Sequence, residues 1–94
     1  MYVVTRNYSG AGASELMDVL EQRQDEVREI ISGVPGFVSY VMFRTNDGGT
    51  SVTICEDKSG TDESSSRAAD WVKENHSAEV GSPSVSEGTA VLQF

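Results

Sequence analysis

Apolar and polar residues alternate first over Tyr2-Val3-Val4-Thr5-Arg6-Asn7-Tyr8, a run rich in β-branched and aromatic side chains, and the run stops at Ser9-Gly10-Ala11-Gly12. A strand followed by a flexible turn is predicted. The spacing then changes. Leu16, Leu20, Val27, Ile30 and Ile31 recur at helical intervals with Met17 beside them, while Glu21, Asp25, Glu26, Arg28 and Glu29 fill the opposite side. This predicts one amphipathic helix of about 18 residues, capped by Ser14 with Glu15 and Asp18 in its first turn. It should close near Ser32, with Gly33 turning left-handed and Pro35 barring continuation.

Two further runs, from about Phe37 to Thr45 and from about Thr50 to Glu56, flank Asn46-Asp47-Gly48-Gly49. Those four residues tolerate positive φ, so the pattern predicts a β-hairpin. Ser59 or Thr61 can then cap a second helix that opens with Asp62 and Glu63, whose buried side is marked by Ala68, Ala69, Trp71 and Val72. The run Ser77 to Ser84 reads as a loop, and Thr89-Ala90-Val91-Leu92-Gln93-Phe94 alternates as a fourth strand.

The order βαββαβ predicts an α+β, ferredoxin-like domain spanning residues 1–94: a four-stranded antiparallel sheet with two helices on one face. In strand two the alternating sets are Phe37, Ser39, Val41, Phe43 and Val38, Tyr40, Met42, Arg44, and both are mostly apolar. Helices can cover only one side of a sheet. A second copy of the same sheet is the simplest cover for the other, so a homodimer is expected.

Composition narrows the partners. Seven Lys and Arg against fifteen Asp and Glu give a net charge of -8, which repels nucleic-acid backbones and anionic lipid surfaces. A single cysteine, no basic-then-apolar leader and no run of about 18 apolar residues make a soluble cytoplasmic protein the expectation. Cys55 sits beside Glu56 and Asp57, which disfavour its thiolate, and reads as a small buried hydrophobe. The pairs Glu56-Asp57 and Asp62-Glu63 read as solvated or capping carboxylates, so no metal site is expected.

The long acidic helix ending in Gly33-Val34-Pro35-Gly36-Phe37, the following strand with Tyr40, and the third strand ending in Glu56-Asp57 before a helix resemble the dimeric α+β barrel family. That family includes antibiotic-biosynthesis monooxygenases and small heme-degrading monooxygenases. The resemblance implies a pocket between sheet and helices and oxygenation of an electron-rich aromatic or quinol with no metal or flavin, the substrate itself helping to activate oxygen. In the heme-degrading branch an Asn on the first strand with a Trp and a His on the second helix shape the pocket, and Asn7, Trp71 and His76 stand in the matching places. The five-residue step from Trp71 to His76 turns their side chains roughly 140° apart on a helix, so a shared heme pocket is not the first expectation.

Asn7 and Trp71 are the candidate catalytic residues, and Arg6, Tyr40, Arg44 and His76 the candidate substrate-binding ones. Arg6 and Arg44 are charges within apolar strands, and Tyr40 is an aromatic with a proton to share, so they suit an anionic or phenolic ligand. Trp71 among Ala68, Ala69 and Val72 also fits simple core packing, and His76 fits an exposed helix end. Three function classes remain open, in this order: a cofactor-independent monooxygenase, a heme-handling oxygenase, and a non-catalytic ligand-binding or assembly dimer.

Overall fold

A computed structural model describes residues 1–75 and 80–94. Strands β1 (Tyr2–Ser9), β2 (Phe37–Thr45), β3 (Gly48–Cys55) and β4 (Ser84–Thr89) form one antiparallel sheet in the order β2-β3-β1-β4. Helices α1 (Ala13–Gln22), α2 (Gln24–Ser32) and α3 (Lys58–Asn75) complete an α+β architecture compatible with a ferredoxin-like fold. No helix among the described residues is long and apolar enough to cross a membrane.

The register divides the sheet into two sides. β1 and β3 pair from Tyr2 with Cys55 through Ser9 with Gly48, and residues directly opposite share a face. Val4, Arg6 and Tyr8 therefore lie with Gly49, Ser51, Thr53 and Cys55, and all of these are buried. Tyr8 joins Ala13, Leu16, Met17, Leu20 and Trp71 in the hydrophobic core. Each large apolar side chain closed in this way contributes about 1.5–3 kcal/mol. On strand β2, Tyr40 and Met42 pair with Thr53 and Ser51 on that inner side, whereas Val41 and Phe43 pair with Val52 and Thr50 on the other.

The expected single first helix is broken at Arg23, which takes φ -112° and ψ 31°. The apolar series explains the break. After Leu20 the next inward residue is Val27, because Arg23 and Gln24 occupy the turn that a straight helix would press into the core. By opening one turn, the chain lays α1 against β3 and α2 against β2. Hydrogen bonds from the Arg23 amide to the Val19 carbonyl (3.0 Å) and from the Val27 amide to the Arg23 carbonyl (3.2 Å) tie the two pieces.

Several local expectations are corrected. Gly12, not Ser14, stands at the N-cap of α1, and no side chain caps that helix. Gly33 is right-handed at φ -81°, while Gly36 takes the left-handed position at φ 67°. The hairpin turns through Asn46 and Asp47, with Thr45 paired to Gly48, and none of its residues has positive φ. Its glycines serve close approach: a Cβ on Gly48 would stand 2.0 Å from the Tyr8 carbonyl oxygen, and one on Gly49 2.2 Å from Met17 Sδ. Helix α3 starts at Lys58, so Asp62 and Glu63 lie beyond its first turn.

Strand four is displaced. The sheet takes Ser84–Thr89, and Val91, Leu92 and Phe94 stand exposed beyond it. In the register of β1 with β4, Tyr2 pairs with Thr89 and Asn7 with Ser84. The Ala90 amide still bonds the Met1 carbonyl (2.8 Å), and among the described residues Val91 to Phe94 lie outside the sheet.

Candidate functional site

The inner side of β3 is built from small residues, Gly49, Ser51, Thr53 and Cys55, at the centre of the sheet where large aliphatics would ordinarily fill the core. The space they leave is taken by longer side chains from the neighbouring strands. Arg6 arrives from β1 with 2% of its surface exposed. Its Nη1 donates to Ser64 Oγ (3.3 Å) and Ser65 Oγ (3.0 Å) on α3, and its Nη2 donates to Thr53 Oγ1 (3.0 Å) on β3. The serines that weaken α3 as a helix thus solvate a cation inside the protein. Ser64 Oγ in turn donates to the Thr61 carbonyl (2.7 Å), and Thr61, Ser64 and Trp71 are the buried side chains of this helix.

Three of the five guanidinium N–H groups are used, and among the described residues neither Nε nor Ser51 Oγ, 1% exposed, has a partner in full hydrogen-bond geometry, although the Tyr40 hydroxyl comes close enough to Ser51 and Arg6 for both to lower its pKa. Arg6 and Ser51 line a cavity of about 20 Å³ together with Tyr8, Tyr40, Met42 and Trp71. Burial raises the pKa of both tyrosines, and the charge of Arg6 pulls each of them back down.

A larger groove of about 380 Å³ opens outside this cavity, between α1 and α2 on one side and β2 on the other. Its wall carries Met17, Leu20, Val27, Ile31 and Met42, and Glu21, Gln24, Arg28 and Arg44 supply its polar groups. Leu20, Val27, Ile31, Tyr40 and Met42 border both spaces, so a thin partition separates the groove from the guanidinium.

The sequence candidates separate accordingly. Arg6 and Tyr40 meet at the inner cavity, and Tyr40 and Arg44 both border the groove. Arg44 is exposed, and its Nη2 donates to Asp18 (2.7 Å) and Glu21 (3.2 Å) of α1, bonds that raise its pKa, the Asp18 bond most. Asn7 lies on the opposite side of the sheet from Arg6 and Tyr8, where Asn7 Oδ1 accepts a hydrogen bond from Thr50 Oγ1 (2.7 Å). Trp71 is on the core side, so the sheet keeps Asn7 and Trp71 apart. The Trp71 indole N–H donates to Glu26 (3.1 Å), and the Arg23 guanidinium lies 5.3 Å from its ring centre. Arg23 also bonds Asn75 (2.8 Å), so the helix break is tied to α3. His76 lies outside the described residues.

Cys55 is buried, and burial followed by the charge of Asp57 raises its pKa. No group of three or more His, Cys, Asp or Glu side chains among the described residues could hold a metal ion. Sequence reading missed Ser51, Thr53, Ser64 and Ser65. The signal available for them was the small-residue alternation Gly49-Ser51-Thr53-Cys55, and the spacing Thr61, Ser64, Ala68, Trp71 on α3. Compared with family models, curated proteins and solved structures, the chain matches none.

Proposed function

We propose that this chain takes a small aromatic or quinol into the groove between α1, α2 and β2 and oxygenates it with molecular oxygen, without metal or flavin. The observation that carries the reading is the groove itself. A volume of about 380 Å³ with an apolar wall and a few convergent polar groups is the size and character of a small-ligand site. The strand order, compatible with a ferredoxin-like fold, supports the likeness to antibiotic-biosynthesis monooxygenases at the level of architecture.

The chemistry needs no external reductant. A phenol with a free para position supplies four electrons to O2: one oxygen atom bonds to the para carbon, the other leaves as water, and the ring becomes a para-quinone. The protein's part is to hold the ring away from bulk water and favour its electron-rich anionic form.

The test is oxygen uptake with 1-naphthol under a chelator. One O2 consumed per naphthoquinone formed, with one labelled atom in the quinone from labelled O2, is the expected result. Bound naphthol with no uptake would make the chain a binding protein. A stoichiometric hemin complex with a His76-dependent visible spectrum would favour the heme-handling alternative.

A second reading concerns assembly, and the outer side of the sheet favours it. Val41 is 56% and Phe43 51% exposed there, beside Val52 and Thr50 of β3. An apolar sheet face of this kind suits a second copy of the chain, giving a homodimer whose sheets pack face to face at roughly 10 Å. Sedimentation at micromolar concentration checks it, and a monodisperse monomer would defeat it.

A further inference from the structure

The five arginines of the chain are not treated alike. Arg23 pairs with Glu26 (2.7 Å), Arg28 with Asp25 (3.9 Å), Arg44 with Asp18 and Glu21, and Arg67 with Glu63 (3.1 Å). All four have side chains at least a third exposed. Arg6 alone is buried, and among the described residues it alone has no carboxylate. A buried charge is ordinarily paired, because leaving water costs several kcal/mol per ion and neutral hydroxyls offset only part of that. In a chain with fifteen acidic side chains, the absence of one here is informative.

The unused hydrogen-bonding capacity lies at the same place. Among the described residues Arg6 Nε and Ser51 Oγ lack hydrogen-bond partners, and both residues line the inner cavity. Arg6 and Ser51 are direct cross-strand neighbours on β1 and β3, and Met42 sits opposite Ser51 on β2. The cavity holds about one water-sized group, enough for a single oxygen atom but not for a ring. The ring-sized space is the groove beyond Tyr40 and Met42. Met42, which borders both spaces, is the most flexible side chain of the partition.

We infer that Arg6 and Ser51 form a built oxyanion subsite, which takes the phenolate or carboxylate oxygen of a ligand whose apolar body lies in the groove. The inference rests on the groove being the ligand site. It adds the charge state and orientation of the ligand: acidic oxygen inward past Tyr40 and Met42, apolar end toward Arg44. A guanidinium fork and a rotatable hydroxyl suit one anionic oxygen, and burial strengthens the attraction relative to water.

Two probes of nearly the same shape separate this inference from the reading beneath it. 4-Nitrophenol ionises to a visibly absorbing anion, whereas 4-nitroanisole cannot ionise. Titrated into the wild-type protein near the phenol's own pKa, nitrophenol should bind at least tenfold more tightly than nitroanisole. Its visible band should grow on binding, reporting an apparent pKa lowered by about one unit or more. Arg6→Met should abolish the preference and the band while still binding nitroanisole, and Ser51→Ala should weaken the preference severalfold. Equal binding of the two probes with no growth of the band would overturn the oxyanion subsite and leave the groove intact. Failure of both to bind would overturn the groove reading and the subsite with it. The wild-type comparison decides even if Arg6→Met does not fold.

Discussion

Arg6 and Arg44 both project to the inner side of the sheet, one at its centre and one near the end of an edge strand, yet they meet opposite fates. Arg44 on β2 escapes to solvent and grips two carboxylates of α1, whereas Arg6 on β1 is roofed by α3 and, among the described residues, bonded only to hydroxyls. Place in the sheet, more than residue type, decides whether a cation is solvated by water, by acids or by the protein's own dipoles. An exposed pair contributes little to stability, because water already solvates both partners. A buried charge without a counter-ion is retained at a cost, and that cost is what a binding site for an anion would use.

The largest contrast should come from charge reversal. Arg6→Glu replaces a cation held by three hydroxyl acceptors with an unpaired buried carboxylate and is expected to cost about 3–5 kcal/mol, measured as a fall in urea midpoint. Arg44→Glu, on the exposed rim, should move the thermal midpoint by only a few degrees. Similar losses from both would erase the distinction between the two arginines.

Arg6→Met sharpens it in the other direction. No acid is left stranded when Arg6 is removed, so stability should change by no more than about 1 kcal/mol, or rise. A loss as large as that from Arg6→Glu would mean that the guanidinium supports the fold more than it waits for a ligand.

The two sides of β2 offer an adjacent pair of tests. Val41→Asp should shift sedimentation toward monomer with the fold retained, because Val41 lies on the outer side. Met42→Ala should leave assembly unchanged while costing about 2 kcal/mol, the lower end expected for a partly buried methionine. Equal effects on association would contradict the register on which both rest.

Two smaller effects depend on pH. The folded-state pKa values of Tyr8 and Tyr40 are raised above the ordinary 10.0, first by burial. Their contribution to stability is therefore complete below about pH 10 and lost as pH rises through the folded values. Tyr40→Phe should make the alkaline limb of a thermal-stability profile shallower. Asp57 behaves oppositely: hydrogen bonding from Ser59 lowers its pKa from 3.8, so its contribution holds above about pH 4 and is lost on acidification. Asp57→Ala should lower the midpoint by a few degrees at neutral pH and by less in acid.

By itself the sequence determined what short-range pattern can carry. The alternation of Tyr2 to Tyr8, a helical stretch after it, the hairpin between strands two and three and a helix after strand three follow from local periodicity, and the structure has them, although the first helical stretch is two helices and the hairpin turns without positive φ. Tertiary structure decided the rest. Ser-Val-Ser-Glu-Gly-Thr at 84–89 is a poor strand by composition and becomes one because β1 offers it an edge, while among the described residues the better alternation beyond Thr89 lies outside the sheet. The break at Arg23 arises because α1 and α2 must meet different strands. The Arg6 site joins β1 to Ser64 and Ser65 across 58 and 59 residues, a proximity no local spacing encodes. Periodicity reports which way a side chain points; only the packed chain decides what it meets there and whether water can follow.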